Sequence, residues 1–188
     1  MRRTITATIL ALVVSIPVAG AEQVPSLPAL DAALHETSVS GVSSGADMAH
    51  QLHIAHSSIM VGAGLVSVAP YHCAAGRMSM ALHRCMQIRF FTRLHPATSL
   101  GYARTFERAG EIDPLANLAD DRVYMFSGTR DETRIPAMVG KTRDLYGLLG
   151  IPDTQIHYRN DLPAGHAFLT EDWGNTRCGD SRPPFMDR

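Results

Sequence analysis

The sequence carries almost no net charge: 17 Lys and Arg against 18 Asp and Glu leave −1 at pH 7 with histidine neutral. The basic residues are scattered and form no polybasic run, so electrostatics gives no reason to expect a nucleic-acid partner. Long hydrophobic runs are scarce as well. One stands at residues 9–18, behind Arg2 and Arg3 and ahead of Ala19-Gly20-Ala21. It is too short to cross a bilayer comfortably. A basic start, an apolar stretch and a small-residue site together read as a secretory signal cleaved after Ala21. No other segment reads as a membrane span, so no stable membrane association is expected after cleavage. The expected organisation is a signal peptide over residues 1–21 and a single domain over residues 22–188, long enough for a real core.

Cysteine is also sparse, with Cys73, Cys85 and Cys178 alone. In an exported chain disulfides are plausible. Cys73 and Cys85 are close in sequence and would close a modest loop, which leaves Cys178 over. An odd cysteine in such a chain means a free thiol, an intermolecular bond or a missing partner. The sequence has no internal repeat and no low-complexity tract. It has no clean metal-site pattern either. His50, His53 and His56 follow one another at spacings of three, but across all three the helical face drifts, and no carboxylate or cysteine stands near them in a zincin-like arrangement. They read as a polar helix face, with a histidine-rich metal-binding protein as the competing reading. No metal and no cofactor are expected. Met78, Met80 and Met86 read as packing residues.

What is present is an alternation of strand and helix signals. Residues 37–42 make a short strand candidate. Residues 44–56 follow as a helix, with Met48, Leu52 and Ala55 at helical spacing toward a core. Residues 61–69 form an apolar, β-branched run typical of a strand buried on both faces. Residues 78–86 are helical, and Pro96 opens another helix. Residues 121–127 hold a third strand, 135–149 a helix followed by Gly150 as cap, and 155–158 a fourth strand. Everything after Asp161 reads as loop. This order predicts an α/β fold, a parallel sheet covered by helices on both faces, with reactive groups at the carboxyl ends of the strands.

Gly41-Val42-Ser43-Ser44-Gly45 lies at such an end. A G-x-S-x-G pentapeptide lets a serine stand on a sharp strand-to-helix turn with its hydroxyl exposed, and its small flanking residues avoid Cβ clashes. An acid follows in Gly128-Thr129-Arg130-Asp131 and a histidine in Pro163-Ala164-Gly165-His166. Ser, Asp, His is the chain order of an α/β-hydrolase triad. His166 would take the Ser43 proton and Asp131 would orient the imidazole. Glu132 is a rival acid, whereas Asp120 and Asp121 precede their strand and lie at the wrong end. The backbone N–H of Ser44 would serve the oxyanion. The second donor normally comes from a loop before the nucleophile strand. Only about 20 residues would precede Ser43 after cleavage, too few for that loop and its strands.

Four ordered segments resemble the extracellular poly(3-hydroxybutyrate) depolymerase family: residues 38–46 (SVSGVSSGA), 69–74 (APYHCA), 124–131 (YMFSGTRD) and 160–167 (NDLPAGHA). The resemblance implies a circularly permuted α/β-hydrolase, which accounts for an elbow so near the N-terminus. It implies Ser43 as nucleophile, Asp131 as acid, His166 as base and a Cys73–Cys85 disulfide. The reaction implied is hydrolysis of a polyester or short hydroxyacid ester through an acyl-enzyme, by a secreted protein. Two positions depart from the family pattern: Asp47 stands where an aromatic or aliphatic residue is common, and Arg134 replaces an apolar residue after the acid. The chain also ends at Arg188 where members of that family continue. The expectation is therefore a C-terminally shortened serine esterase, with a catalytically inactive remnant as the alternative.

Overall fold

The computed structural model describes residues 26–87, 94–172 and 174–188. The signal-peptide reading of residues 1–21 lies outside them. Residues 26–32 carry neither helix nor strand. No described helix is long and apolar enough to cross a membrane.

From residue 33 onward, strand and helix alternate: β1 (Thr37–Val42), α1 (Ser44–Ala55), β2 (Met60–Val66), α2 (Met78–Arg84), α3 (Pro96–Ala109), β3 (Arg122–Phe126), α4 (Pro136–Leu148) and β4 (Ile156–Arg159). The four strands pair in parallel in the order β1-β2-β3-β4. Pro96 and Pro136 each occupy the first helical turn, where the missing N–H costs no hydrogen bond and the fixed φ suits the helix. Gly110 ends α3 at φ 70°, the left-handed cap that glycine adopts freely.

The core packs one pleat of the sheet against the helices. Val39, Ala63, Leu65, Val123 and Met125 meet Ala46, Ala49 and Ile54 of α1, Ala103 of α3, and Val139, Leu145 and Tyr146 of α4. On the other pleat Ser38, Ser40, Arg122, Tyr124 and His157 are exposed. The expectation of helices on both faces is thus corrected. Strands added always in the same direction by right-handed crossovers deposit their helices on one face, and a two-faced sheet needs a reversal of strand order. Val61, expected to be buried, is 44% exposed for a local reason: the register shifts there, Thr37 pairing with Met60 and Ser38 with Gly62, which leaves Val61 as the extra residue of a bulge. The carboxyl end of this second pleat is partly covered, where Leu162, Ala164 and Leu169 pack on Val66 and Phe126. The tail, expected to be all loop, also forms a two-residue parallel pair, β5 (Phe168–Leu169) with β6 (Met186–Asp187).

α1 faces opposite to its expected orientation. Met48 is 68% and Leu52 42% exposed, whereas His50 and His53 are fully buried. The burial is helped because both nitrogens of His53 and the Nδ1 of His50 find partners, while His50 Nε2 has none. His53 Nε2 lies 2.9 Å from Asp121 Oδ2, and the Nδ1 atoms of His50 and His53 each lie 2.8 Å from Tyr146 Oη. A carboxylate does stand near the histidines, brought there from the amino end of β3. Burial, and for His50 also the neighbouring His53, push their pKa values down to about 3 and about 4. His56 is exposed, so the three do not share an environment. Among the described residues no group of three ligating side chains is placed to hold a metal ion.

Candidate active site

Ser43 begins at the end of β1. Its φ of 56° and ψ of −120° lie where non-glycine residues are strained, and such strain persists only when the surroundings enforce it. They do so here. Ser43 N–H donates to Val66 O at 2.9 Å on the neighbouring strand, and Asp47 N–H donates to Ser43 O at 2.9 Å in the first turn of α1. A Cβ on Gly41 would sit 2.3 Å from the backbone of Gly45, so the turn demands glycine at 41. At Gly45 a Cβ would meet nothing within 4 Å, which corrects the expectation that both flanking glycines are sterically required. Ser44 is exposed at the first position of α1, where its N–H has no intrahelical acceptor.

Asp131 stands in the loop after β3 and is 2% exposed. Its Oδ2 accepts from His166 Nδ1 at 2.8 Å and from the Ser67 hydroxyl at 2.6 Å. Its Oδ1 accepts the backbone N–H groups of Thr133 at 3.0 Å and Arg134 at 2.8 Å. Burial alone would raise its pKa. The bonds from His166, Ser67 and Arg134, with the charge of His166, outweigh that and hold it below the usual carboxylate value. The rival Glu132 is exposed.

His166 reaches Asp131 because two loops lace together. Thr129 N–H donates to Leu162 O at 2.8 Å and Arg130 N–H to Ala164 O at 3.0 Å. Gly128 permits this, since a Cβ there would lie 2.1 Å from Ala164 O. The His166 N–H is held by Ser181 Oγ at 2.8 Å. The structure therefore joins Asp131 to His166 and puts Ser43 at the carboxyl end of the same sheet. Among the described residues no hydrogen bond joins Ser43 Oγ to His166 Nε2.

Beside Ser43 opens a cleft of about 440 Å³, lined by Met48, Pro70, Met86, Arg134 and the Cys73–Cys85 disulfide. Cys178 carries a free thiol. Two features escaped sequence reasoning. Ser67, fully buried, was signalled only as a lone hydroxyl within the apolar run of residues 61–69. The second is the contact between Asp47 and Arg134, both noted singly as departures, which form a two-pronged ion pair.

The chain is 37% identical over 162 residues to a poly(3-hydroxybutyrate) depolymerase of Delftia acidovorans, a match covering 86% of this chain and 32% of that protein. It is 30% identical over 173 residues to a polyhydroxybutyrate depolymerase of Talaromyces funiculosus, covering 89% and 48%. Over the part of them that it spans, the chain is similar to poly(3-hydroxybutyrate) depolymerases. Solved structures agree. A PHB depolymerase complexed with an R3HB trimer matches with a TM-score of 0.72 at 26% identity, over 87% of this chain and 50% of that one. The PHB depolymerase of Penicillium funiculosum matches with a TM-score of 0.71 at 28% identity, over the same shares. The depolymerase fold is α/β-hydrolase-like, and this chain spans about a third to a half of the length of these relatives. No family-level sequence profile matches it.

Proposed function

We propose that this chain is a secreted serine esterase that hydrolyses poly(3-hydroxybutyrate) or related hydroxyacid esters. The observation that carries the reading is the 2.8 Å bond between His166 Nδ1 and a fully satisfied Asp131, at the sheet end where Ser43 occupies a strained turn. Serine is a weak nucleophile until a base takes its proton. In this reading His166 Nε2 takes it as Ser43 Oγ attacks the ester carbonyl. The Asp131 carboxylate steadies the resulting imidazolium. The oxyanion receives the Ser44 N–H, a donor of the kind worth about 3–4 kcal/mol in the transition state. The imidazolium then protonates the leaving alcohol, and water, activated by the same histidine, releases the hydroxyacid from Ser43. The apolar side chains of the cleft suit the aliphatic part of such an ester.

A second reading, a chain that keeps this fold without turnover, is favoured by one observation: no hydrogen bond joins Ser43 to His166 among the described residues. Hydrolysis of a short-chain p-nitrophenyl ester by the purified chain, with Ser43→Ala as control, separates the two. Turnover lost in the variant supports the esterase. A folded chain with no Ser43-dependent turnover overturns it.

A further inference from the structure

Asp47, in the first turns of α1, and Arg134, in the loop after β3, are 87 residues apart in sequence, and the fold brings them together. Both guanidinium NH2 groups of Arg134 engage the Asp47 carboxylate, Nη1 on Oδ1 and Nη2 on Oδ2, the latter at 2.8 Å. The Arg134 side chain is 6% exposed and that of Asp47 32%, so the pair is buried at its arginine end, and Arg134 Nε has no hydrogen-bond partner. Asp47 is thus the carboxylate that neutralises it.

Each end of the pair is tied to a different part of the site. Asp47 lies one turn into α1, with its N–H on Ser43 O at 2.9 Å. Asp47 Oδ1 also accepts the N–H of Ala69 at 2.8 Å, two residues beyond the Ser67 that bonds Asp131. The N–H of Arg134 donates to Asp131 Oδ1 at 2.8 Å. One ion pair therefore connects the serine turn, the segment after β2 and the acid loop.

Stability alone does not account for it. Well-packed apolar residues in place of a buried ion pair are commonly neutral or stabilising. What a two-pronged arginine–carboxylate pair supplies beyond an apolar contact is direction, because both bonds must be satisfied at once. We propose that Asp47 and Arg134 are positioning residues whose ion pair locks the Ser43 turn to the Asp131–His166 pair during ester hydrolysis. The inference rests on the esterase reading above, since it is that reaction which needs the spacing held.

The test compares the full chain with Arg134→Met, Asp47→Met, the double variant and Arg134→Lys. The readouts are kcat and KM on a p-nitrophenyl ester and amide hydrogen exchange over residues 43–47, 67–69 and 131–134. Asp47→Met should lose the most stability, because it strands the buried Arg134 charge, whereas Arg134→Met leaves a carboxylate that water already reaches. The double variant should regain stability and KM, yet keep a kcat lowered about 10- to 100-fold, the scale of a small misplacement. Exchange should rise in all three segments together. Arg134→Lys, which keeps the charge and loses the fork, should recover only part of kcat. A double variant with the kcat and exchange of the parent would overturn the proposal and leave the pair a structural contact. If the parent shows no Ser43-dependent turnover, the esterase reading fails, and the exchange data still decide whether the pair couples the three segments.

Discussion

Ser67 Oγ lies 2.6 Å from Asp131 Oδ2, and it shares that oxygen with His166 Nδ1. A hydroxyl from the end of one strand thus steadies the carboxylate at the end of the next, and through it the imidazole. A hydrogen bond to a charged acceptor contributes about 1.5–3 kcal/mol. Ser67→Ala should lower kcat on a short ester about tenfold with little change in KM. Ser67 has φ 55°, so Ser67→Gly relieves the backbone and still lacks the hydroxyl. Steady-state kinetics should show both variants equally impaired, and full activity in Ser67→Gly would assign the role to the backbone instead.

The buried His50–Tyr146–His53–Asp121 cluster predicts a pH-dependent fold. His50 and His53 drop from 6.5 to about 3 and about 4 on folding. Between those values and 6.5 the unfolded chain binds more protons, so their contribution is present above pH 6.5 and is lost as pH falls. Burial, aided by Asp120, raises Asp121 from 3.8 to about 6. That works in the opposite direction, with a contribution present below pH 3.8 and lost as pH rises through about 6. Two imidazoles outweigh one carboxyl, so stability should fall by on the order of a few kcal/mol between pH 7 and 4.5. Urea unfolding at the two pH values measures it. His50→Leu should flatten the slope, and an unchanged slope would show that other groups set it.

The two glycines of the pentapeptide should behave differently. Gly41→Ala drives a Cβ to 2.3 Å from backbone and should abolish folding or Ser43 reactivity. Gly45→Ala meets open space and removes a helical glycine, so the thermal midpoint should hold or rise, by at most about 1 kcal/mol of stability. Loss of stability in Gly45→Ala would contradict the packing described.

The Cys73–Cys85 disulfide closes a short loop that lines the cleft. A cross-link of this span contributes about 3 kcal/mol in the chain-entropy account. Cys73→Ser/Cys85→Ser should lower the unfolding midpoint accordingly and raise KM more than it lowers kcat, since the loop forms a wall of the cleft and holds no member of the proposed triad. An unchanged KM would separate the loop from substrate binding.

Element types were legible wherever local pattern decides them. β1 spans the expected residues 37–42, and α3 begins at the expected Pro96. The faces were harder to read. In α1 the apolar spacing of Met48, Leu52 and Ala55 pointed to a core that the helix does not turn toward. Ala46, Ala49 and Ile54 are the buried apolar residues there, and the two histidines between them count as polar on any local scale. Only a carboxylate 68 residues away and a tyrosine 93 residues away make their burial affordable. The two-faced sheet failed for a similar reason, because strand order is invisible in a list of strands.

By itself, the sequence determined the strand–helix alternation, the Ser–Asp–His order and the glycines at tight turns, because periodicity, steric demand and turn chemistry act over a few residues. Only the tertiary structure decided which polar groups meet. Ser67 with Asp131, Asp47 with Arg134 and His53 with Asp121 are separated by 64, 87 and 68 residues. A buried polar group must find a partner, but nothing local says which one. The register of the parallel strands and the stacking of the helices on one face make that choice.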